Sequence, residues 1–226
     1  MSNECKICGS TTLRIETRIR KRASLRSYRR CPACEYIFLD DAFRLSPEDE
    51  FNEYERHQNS IEDPRYVAFF EGFIKDAIIS HTSKKEMRCL DFGSGPSPVL
   101  AQLLERKFGW TVDLYDKFYA SSEIYRGNTY DLITATEVVE HLNDPMHYFR
   151  LFKDLLKPNG ILSIMTLFHP KCDAEFMKWY YPRDPSHISF YTPKTMEVIA
   201  AHLGFQILFC DDLRYITLSR TDDQIK

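Results

Sequence analysis

The chain has 226 residues and is 43% hydrophobic, enough for one substantial core and a small additional module. Its formal net charge of -3 and pI near 6.2 exclude the overall basic field that by itself suggests a nucleic-acid-binding protein. No apolar run reaches the roughly 18 residues of a membrane span, and the first residues lack the apolar core of a signal peptide. We therefore expect a cytoplasmic protein with no membrane partner.

Four of the seven cysteines form two CxxC pairs near the N-terminus. Cys5 pairs with Cys8, Cys31 pairs with Cys34, and 22 residues lie between the pairs. In a cytosolic chain such pairs are more often metal ligands than disulfides. Four thiolates close a tetrahedron around Zn²⁺ and leave no open position for chemistry. The spacing predicts a structural zinc site in a zinc ribbon over residues 1–39.

The predicted ribbon is basic. Residues 1–38 carry nine Lys and Arg against three Asp and Glu, a balance of +6. Such a ribbon can hold a phosphate-bearing partner such as RNA. Alternatively, a small hairpin around zinc has little core, so most of its residues are exposed and polar. We favour the second interpretation.

Residues 40–63 are acidic and only weakly periodic, which is typical of a linker with short helical pieces. Pro64 then opens a segment whose apolar residues recur at helical spacing, which predicts an amphipathic helix. Residues 64–226 are expected to form the main domain.

From residue 88 onward, predicted strands and helices alternate. We predict strands over 88–92, 111–116, 130–138, 161–168, 205–210 and 213–219, and helices over 96–109, 144–160 and 192–204. Strands separated by helices pair in parallel through right-handed crossovers, which indicates a doubly wound α/β sheet. The last two strands are joined by a very short connection, so that pair is expected to be antiparallel.

The segment "LDFGSGP" lies at the turn after the first of these strands. In an open parallel sheet, ligands bind at the carboxyl ends of the strands, and Gly93 and Gly95 let the backbone approach such a ligand closely. A dinucleotide site would require a third glycine, which is absent, and the Asp91 carboxylate would repel its diphosphate. The carboxylate instead favours a cation such as a sulfonium.

On these residues the chain resembles the class I S-adenosylmethionine-dependent methyltransferases. "LDFGSGP" resembles the first motif of that family, and "VDLYD", "YDLITATEVVEHLNDP" and "LLKPNGILSIMT" resemble its second-, fourth- and fifth-strand segments. The resemblance covers roughly residues 64–219. It implies S-adenosylmethionine as cofactor, with Asp116 accepting hydrogen bonds from the ribose. The cofactor-binding residues that it implies are Asp91, Phe92, Gly93, Ser94, Gly95, Asp116, Thr136, Glu137 and Val138.

One departure from the family concerns residues 117–129. This segment is too short for a crossover helix and a strand, so we expect the third strand to be short or missing. The usual acidic contact to adenine then has no clear counterpart. We expect Lys117, Phe118 and Tyr119 to cover the adenine instead, with an aromatic ring on its face.

Methyl transfer from a sulfonium requires alignment and, for an oxygen or nitrogen acceptor, removal of a proton. Candidate catalytic residues are therefore polar side chains in loops and at strand ends: His187 with Tyr191, His141, and His57 in the linker. The aromatic stretch 176–191 interrupts the α/β alternation. It is either a substrate-binding loop or a hydrophobic cap over the sheet edge.

Three functions remain open from the sequence. The first, which we favour, is methyl transfer to an O, N or C nucleophile of a small or medium-sized metabolite. The second is an RNA methyltransferase that holds RNA with the basic ribbon. The third is a non-catalytic zinc-ribbon binding protein with a decayed cofactor site, supported only by the shortened segment after Asp116.

Overall fold

The computed structural model describes residues 3–18, 25–55 and 60–221 of the chain. It contains a four-strand sheet and a six-strand sheet. Within these described ranges, no helix is both long and apolar enough to cross a membrane.

The N-terminal ribbon supplies three strands of the smaller sheet. They are antiparallel neighbours: β1 (Leu13–Arg18), β2 (Leu25–Arg30) and β3 (Ile37–Leu39). Tyr28, Ile37 and Leu39 are completely or almost completely buried, so the ribbon has an apolar side that packs against the rest of the protein.

Two helices follow the ribbon, α1 (Pro47–Tyr54) and α2 (Pro64–Phe73). Each begins with a proline preceded by an N-cap residue, Ser46 or Asp63, whose side chain accepts a backbone N–H. A π-helical segment, Ile74–Ile78, continues α2. The predicted linker thus contains a short helix, and the predicted amphipathic helix is present.

The six-strand sheet has the strand order β5-β4-β6-β7-β10-β9. Strands β4 to β7 pair in parallel, whereas β10 is antiparallel to both β7 and β9. These findings confirm the predicted doubly wound, mostly parallel sheet with an antiparallel last pair. The strands are β4 (Arg88–Phe92), β5 (Thr111–Tyr115), β6 (Tyr130–Thr136), β7 (Leu156–Met165), β9 (Phe205–Cys210) and β10 (Tyr215–Arg220).

Both faces of this sheet are covered, which explains why β6 is buried along most of its length. One hydrophobic cluster joins α2 and α3 (Val99–Phe108) to the sheet, and a second joins α4 (Pro145–Leu155) and α6 (Pro193–Leu203) to the other face. The second cluster also contains residues of the ribbon, including Cys34, Tyr36 and Phe38.

Strand β5 forms the edge of the sheet. Residues 117–129, all of which the structure describes, form turns and one isolated bridge between Asp116 and Ala120 but no extended strand. The third strand that the resemblance implies is therefore missing, as the short spacing predicted.

The boundary between α4 and β7 differs from the prediction. We expected the helix within residues 144–160 to be stopped by Pro158, Asn159 and Gly160, but α4 already ends at Leu155 and β7 begins at Leu156. Pro158 cannot continue a helix, and Asn159 has a positive φ of 56°. The pairing of β6 with β7 is correspondingly irregular between Tyr130 and Leu132.

The aromatic stretch after β7 joins the two sheets. The short helix α5 (Asp173–Phe176) leads into it, and it contains the two-residue strand β8 (Ser189–Phe190), which pairs antiparallel with β3 of the ribbon. The smaller sheet therefore takes its fourth strand from the second half of the chain.

Candidate functional site

A cavity of about 1320 Å³ opens at the carboxyl ends of β4, β5 and β6. This is the edge of a parallel sheet at which ligands bind. Its volume exceeds the roughly 300–1,000 Å³ of an ordinary small-molecule pocket, so it has room for a cofactor and a second molecule. All eleven predicted cofactor-binding residues line it: Asp91, Phe92, Gly93, Ser94, Gly95, Asp116, Lys117, Phe118, Thr136, Glu137 and Val138.

The glycine turn forms the floor of the cavity next to β4. Gly93 and Gly95 have φ of 82° and 64°, a backbone region that L-residues rarely adopt. The N–H groups of Gly93 and Ser94 both donate to the Tyr115 carbonyl, at 2.7 and 3.1 Å, which ties the turn to the end of β5. The turn therefore presents bare backbone to the cavity.

Two buried carboxylates flank the turn. Asp91 accepts a 2.8 Å hydrogen bond from the Thr134 hydroxyl, and burial, with the nearby charge of Asp116, raises its pKa to about 6. Asp116 accepts from the backbone N–H groups of Gly95 at 2.9 Å and Phe118 at 2.8 Å. Asp116 thus fixes both the glycine turn and the segment after β5.

The charge of the cavity favours a cationic ligand over a diphosphate. Among the residues that the structure describes, two Lys and Arg side chains line it: Arg44 pairs with Asp41 at 3.3 Å and Lys117 pairs with Glu50 at 2.7 Å. The lining carboxyl groups outnumber these two cations: Asp41, Glu50, Asp91, Asp116, Glu137, Asp144 and Asp184.

Aromatic side chains also line the cavity, on the segment after β5 and on α1. The Phe118 ring lies 5.2 Å from the Tyr54 ring and 5.3 Å from the Phe51 ring, both on α1. The Lys117–Glu50 ion pair and a 2.6 Å hydrogen bond from Tyr119 to Glu55 hold the same two segments together. The segment after β5 therefore packs against α1, the helix of the predicted linker.

A buried acid–tyrosine cluster lies beside the cavity. The Tyr181 hydroxyl is 2.9 Å from Glu137 and 2.5 Å from Glu140, which also accepts from Thr166 at 2.9 Å. One hydroxyl has one proton, so it can donate to only one of these carboxyl groups, and contact with the other requires a carboxyl proton. Burial accordingly raises the pKa of both Glu137 and Glu140. Sequence reasoning missed this cluster because its members come from separate segments.

The structure brings together two of the candidate catalytic histidines. His141 and His187 both line the cavity, with ring centroids 4.8 Å apart. Nδ1 of His141 lies 3.1 Å from the Ser186 carbonyl, and Nδ1 of His187 lies 2.9 Å from the Tyr181 carbonyl. Because a carbonyl only accepts, each Nδ1 carries a proton, and in the neutral ring Nε2 carries the lone pair.

The other two candidates have different outcomes. Tyr191 is completely buried, packs against Tyr36 and donates a 2.8 Å hydrogen bond to the Val139 carbonyl. It does not line the cavity, so the structure does not bring it together with His187 there, and its predicted catalytic role stays a prediction. His57 lies outside the described residues, and its predicted role stays a prediction.

The four ribbon cysteines lie together. Their sulfur atoms are all within 4.8 Å of one another, and the Cys5–Cys34 and Cys8–Cys31 distances are both 3.5 Å. A disulfide requires about 2.05 Å, whereas ligands of a tetrahedral zinc with bonds of about 2.3 Å stand about 3.8 Å apart. The donor set and spacing therefore fit a four-thiolate zinc site.

Several ribbon arginines make intramolecular bonds. Arg29 pairs with Asp40 at 2.7 Å, Arg30 bonds to Asp173 and the Lys171 carbonyl, and the Arg26 side chain lies 3.5 Å from the Pro182 carbonyl. Arg26 and Arg30 thereby join the ribbon to residues 171–182 of the chain. Arg20 and Arg22 of the basic ribbon lie outside the described residues.

Known proteins share both the sequence pattern and the fold. The chain is 33% identical over 124 residues to the ubiquinone biosynthesis O-methyltransferase of Dinoroseobacter shibae, a match that covers 51% of this chain and 49% of the relative. It is 26% identical over 174 residues to the protein of the same name from Azorhizobium caulinodans, covering 60% and 68%. The chain thus spans about half the length of the first of these curated relatives.

Solved structures show the same fold at low sequence identity. A putative sarcosine dimethylglycine methyltransferase from Galdieria sulphuraria superposes with a TM-score of 0.53 at 16% identity, covering 80% of this chain and 93% of that one. Human N-acetylserotonin methyltransferase superposes with a TM-score of 0.50 at 12% identity, covering 77% and 65%.

The sequence match itself extends over most of the central sheet. Residues 66–208 of the 226 match the methyltransferase domain family, from α2 to β9, and include the glycine turn, Asp116 and both cavity histidines. This match exceeds half of the chain, and the chain therefore belongs to the methyltransferase domain family.

Proposed function

We propose that this chain transfers the methyl group of S-adenosylmethionine to a hydroxyl oxygen of a small-molecule acceptor. One observation carries the proposal: a single cavity contains the glycine turn, the two flanking carboxylates and the histidine pair. Family membership supports the reaction class.

The cofactor fits the chemistry of the donor set. Its sulfonium and amino groups are cations, and the cavity offers buried Asp91 beside bare backbone at Gly93 and Gly95. Asp116 would accept from the ribose hydroxyls while keeping its backbone partners, because each carboxylate oxygen has two lone pairs. Phe118 would cover the adenine. S-adenosylmethionine supplies the electrophilic methyl group, and the protein supplies alignment.

An oxygen acceptor is proposed for two reasons. The relatives from Dinoroseobacter shibae and Azorhizobium caulinodans are named O-methyltransferases. A hydroxyl acceptor must also lose a proton, and the cavity contains His141 and His187, whose Nδ1 contacts direct the lone pair to Nε2. We propose that one of these Nε2 atoms accepts the proton of the attacking hydroxyl.

A divalent cation is a second way to activate the hydroxyl at the same place. Glu140, His141 and His187 each offer one donor atom, and these atoms lie within 4.8 Å of one another. A cation held there would act as a Lewis acid on the acceptor oxygen. Activity that disappears with a chelator and returns with Mg²⁺ or Mn²⁺ would favour the cation, and chelator-resistant activity would favour a histidine base.

The experiment has a binding arm and a transfer arm. Calorimetry should show S-adenosylmethionine binding and no binding of NAD. The protein and methyl-labelled S-adenosylmethionine should then label members of a panel of small hydroxylated compounds, tested beside total RNA. His187→Gln should lower kcat by at least tenfold with cofactor affinity unchanged, whereas His202→Gln, on the exposed surface, should match the unchanged protein.

The contrary results are equally specific. NAD binding, or no heat with S-adenosylmethionine, would contradict the cofactor assignment and favour a non-catalytic protein. Labelling of RNA alone would favour the RNA methyltransferase. Labelling of amines in place of hydroxyl compounds would contradict the oxygen acceptor but not the reaction class.

A further inference from the structure

Two segments form the side of the cavity that carries the histidines, and we call them the acceptor wall: residues 139–144 and residues 184–190. Their cavity-lining members include His141, Asn143 and His187. The backbone N–H of Ile188 donates to the Glu140 carbonyl at 2.8 Å, and the His141–Ser186 contact also joins the two segments. The wall is therefore one connected unit.

The ribbon is bonded directly to this wall. β3 pairs with β8, and the N–H of Leu39 donates to the Ile188 carbonyl at 2.9 Å. Beside the first cysteine pair, Lys6 donates to the Asn143 side chain at 2.8 Å. The ribbon thus reaches both segments of the wall.

A series of side-chain hydrogen bonds connects the ribbon to the wall, and it begins at Tyr36, two residues after Cys34. The Tyr36 and Ser189 hydroxyls are 2.7 Å apart, and Ser189 donates onward to the Leu142 carbonyl at 2.6 Å. Since the Ser189 proton goes to Leu142, Tyr36 is the donor to Ser189. Tyr36 and Ser189 are at most 1% exposed, so no water replaces these bonds when one is lost.

A second set of hydrogen bonds connects the ribbon to α6, the helix that follows the wall in the chain, and to His169. The Thr195 hydroxyl donates to the Cys34 carbonyl at 2.8 Å, and Nε2 of His169 lies 2.8 Å from the Glu35 carbonyl. Both carbonyls belong to the loop that contains the second cysteine pair. The cofactor-side residues, in contrast, lie at the ends of β4, β5 and β6.

We propose that the ribbon positions the acceptor wall, with Tyr36 and Thr195 as positioning residues, so that it controls acceptor binding without contacting the cofactor. This inference rests on the proposed function for its acceptor, but its structural part is independent of turnover. Zinc would act here only by shaping the loop from which the Tyr36 and Cys34 contacts extend.

The test removes one hydroxyl at a time. Tyr36→Phe should leave one zinc per chain and the cofactor Kd unchanged, and should raise the acceptor KM about tenfold with a smaller change in kcat. Tyr28→Phe is the matched control, because Tyr28 is also completely buried in the ribbon and none of the described hydrogen bonds joins its hydroxyl to the acceptor wall. It should leave KM unchanged.

A second readout needs no acceptor. Hydrogen exchange of the backbone amides in residues 139–142 and 186–190 should be about tenfold faster in Tyr36→Phe than in Tyr28→Phe, with the amides of β4 unchanged. If no methyl transfer is found but this exchange pattern appears, the proposed function fails and the positioning role stands. Unchanged exchange in both wall segments overturns the positioning role whatever the activity.

Thr195 provides a second test, which does not depend on whether the Tyr36→Phe variant folds. Thr195→Val removes the hydroxyl that donates to the Cys34 carbonyl and accepts the Thr192 N–H in the capping box of α6, whereas Thr195→Ser keeps it. The valine variant should show faster wall exchange and a raised acceptor KM, and the serine variant should restore both. Equal effects of serine and valine, or an increased cofactor Kd in Thr195→Val, would overturn the proposal.

Discussion

Gly93 packs directly against Val138: a Cβ atom added to Gly93 would lie 2.2 Å from Cγ2 of Val138. Gly93 ends up there because its N–H bonds to Tyr115 in β5, while Val138 follows β6 on the other side of β4. The glycine turn is therefore packed tightly between the end of β5 and the residue after β6, a contact that we call the clamp.

Substituting the two glycines should separate fold from binding. Gly93→Ala must displace Val138 and hold a strained positive φ, so we expect a loss of about 2–4 kcal/mol in the free energy of unfolding. Gly95 has nothing within 4 Å of an added Cβ, so Gly95→Ala should cost only about 1 kcal/mol, from its φ of 64°. Denaturant unfolding measures both, and equal costs would contradict the clamp.

The cofactor affinities should show the opposite contrast. In Gly95→Ala the new methyl group points into open space beside the cavity, where the ligand would lie, so the fold should persist while S-adenosylmethionine Kd rises at least tenfold. Calorimetry on the folded variant measures this. Unchanged affinity would place the ligand away from the glycine turn.

Asp91 should make cofactor binding depend on pH. Its pKa is raised to about 6, so below that pH the empty site holds a proton that a cationic ligand must displace. Affinity should therefore fall about tenfold for each pH unit below 6 and level off above it. Calorimetry between pH 5 and pH 8, with circular dichroism as a check on folding, measures the profile.

Two variants test whether Asp91 is the group that causes this pH dependence. Asp91→Asn should bind the cofactor weakly with no fall below pH 6. Asp113→Asn is the matched control, because Asp113 lies on β5, pairs with Arg88 and does not line the cavity. It should keep the profile of the unchanged protein, and a fall that persists in Asp91→Asn would assign the titration to another group.

The residues that local sequence signals predicted to bind the cofactor line one cavity, for a physical reason. Gly93, Asp91 and Asp116 lie at the ends of apolar strands, and the carboxyl ends of parallel strands necessarily meet at one edge. The missing third strand was also predictable, because residues 117–129 are too few for a crossover.

The acceptor side was not predictable in the same way. Strand β8 has two residues and pairs with β3 about 150 residues earlier in the chain, so no local periodicity marks it. The same pairing buries Tyr191 against Tyr36, which is why a tyrosine that sequence reasoning placed beside His187 lies in the core. Likewise, Tyr181 reaches Glu140 only after the chain folds back over the sheet.

Phe118 should contribute to cofactor affinity through its ring. It lines the cavity, whereas its neighbour Phe51 touches it from outside the lining. Removing an aromatic ring that covers a ligand costs about 1–2 kcal/mol, so Phe118→Ala should raise the S-adenosylmethionine Kd about tenfold. Phe51→Ala should have at most a threefold effect. A larger effect for Phe51 would mean that α1 itself covers the ligand.

Zinc should stabilise the main domain as well as the ribbon. The cysteine loops share a hydrophobic cluster with α4, α6 and the central sheet, and Thr195 of α6 bonds to Cys34. Structural zinc sites contribute on the order of 10 kcal/mol of binding free energy, which is expressed as folding free energy. Metal analysis should find one zinc per chain, and Cys34→Ser should lower both zinc content and Tm, by 10 °C or more.

The control for this prediction is Cys210→Ser. Cys210 is half-buried on β9, away from the four-thiolate cluster, so its replacement should leave zinc content unchanged and Tm within a few degrees. Thiol titration of unfolded, metal-free protein should count all seven cysteines as free. A count of three, with zinc absent, would instead identify two disulfides between the ribbon pairs, which the 3.5 Å sulfur separations oppose.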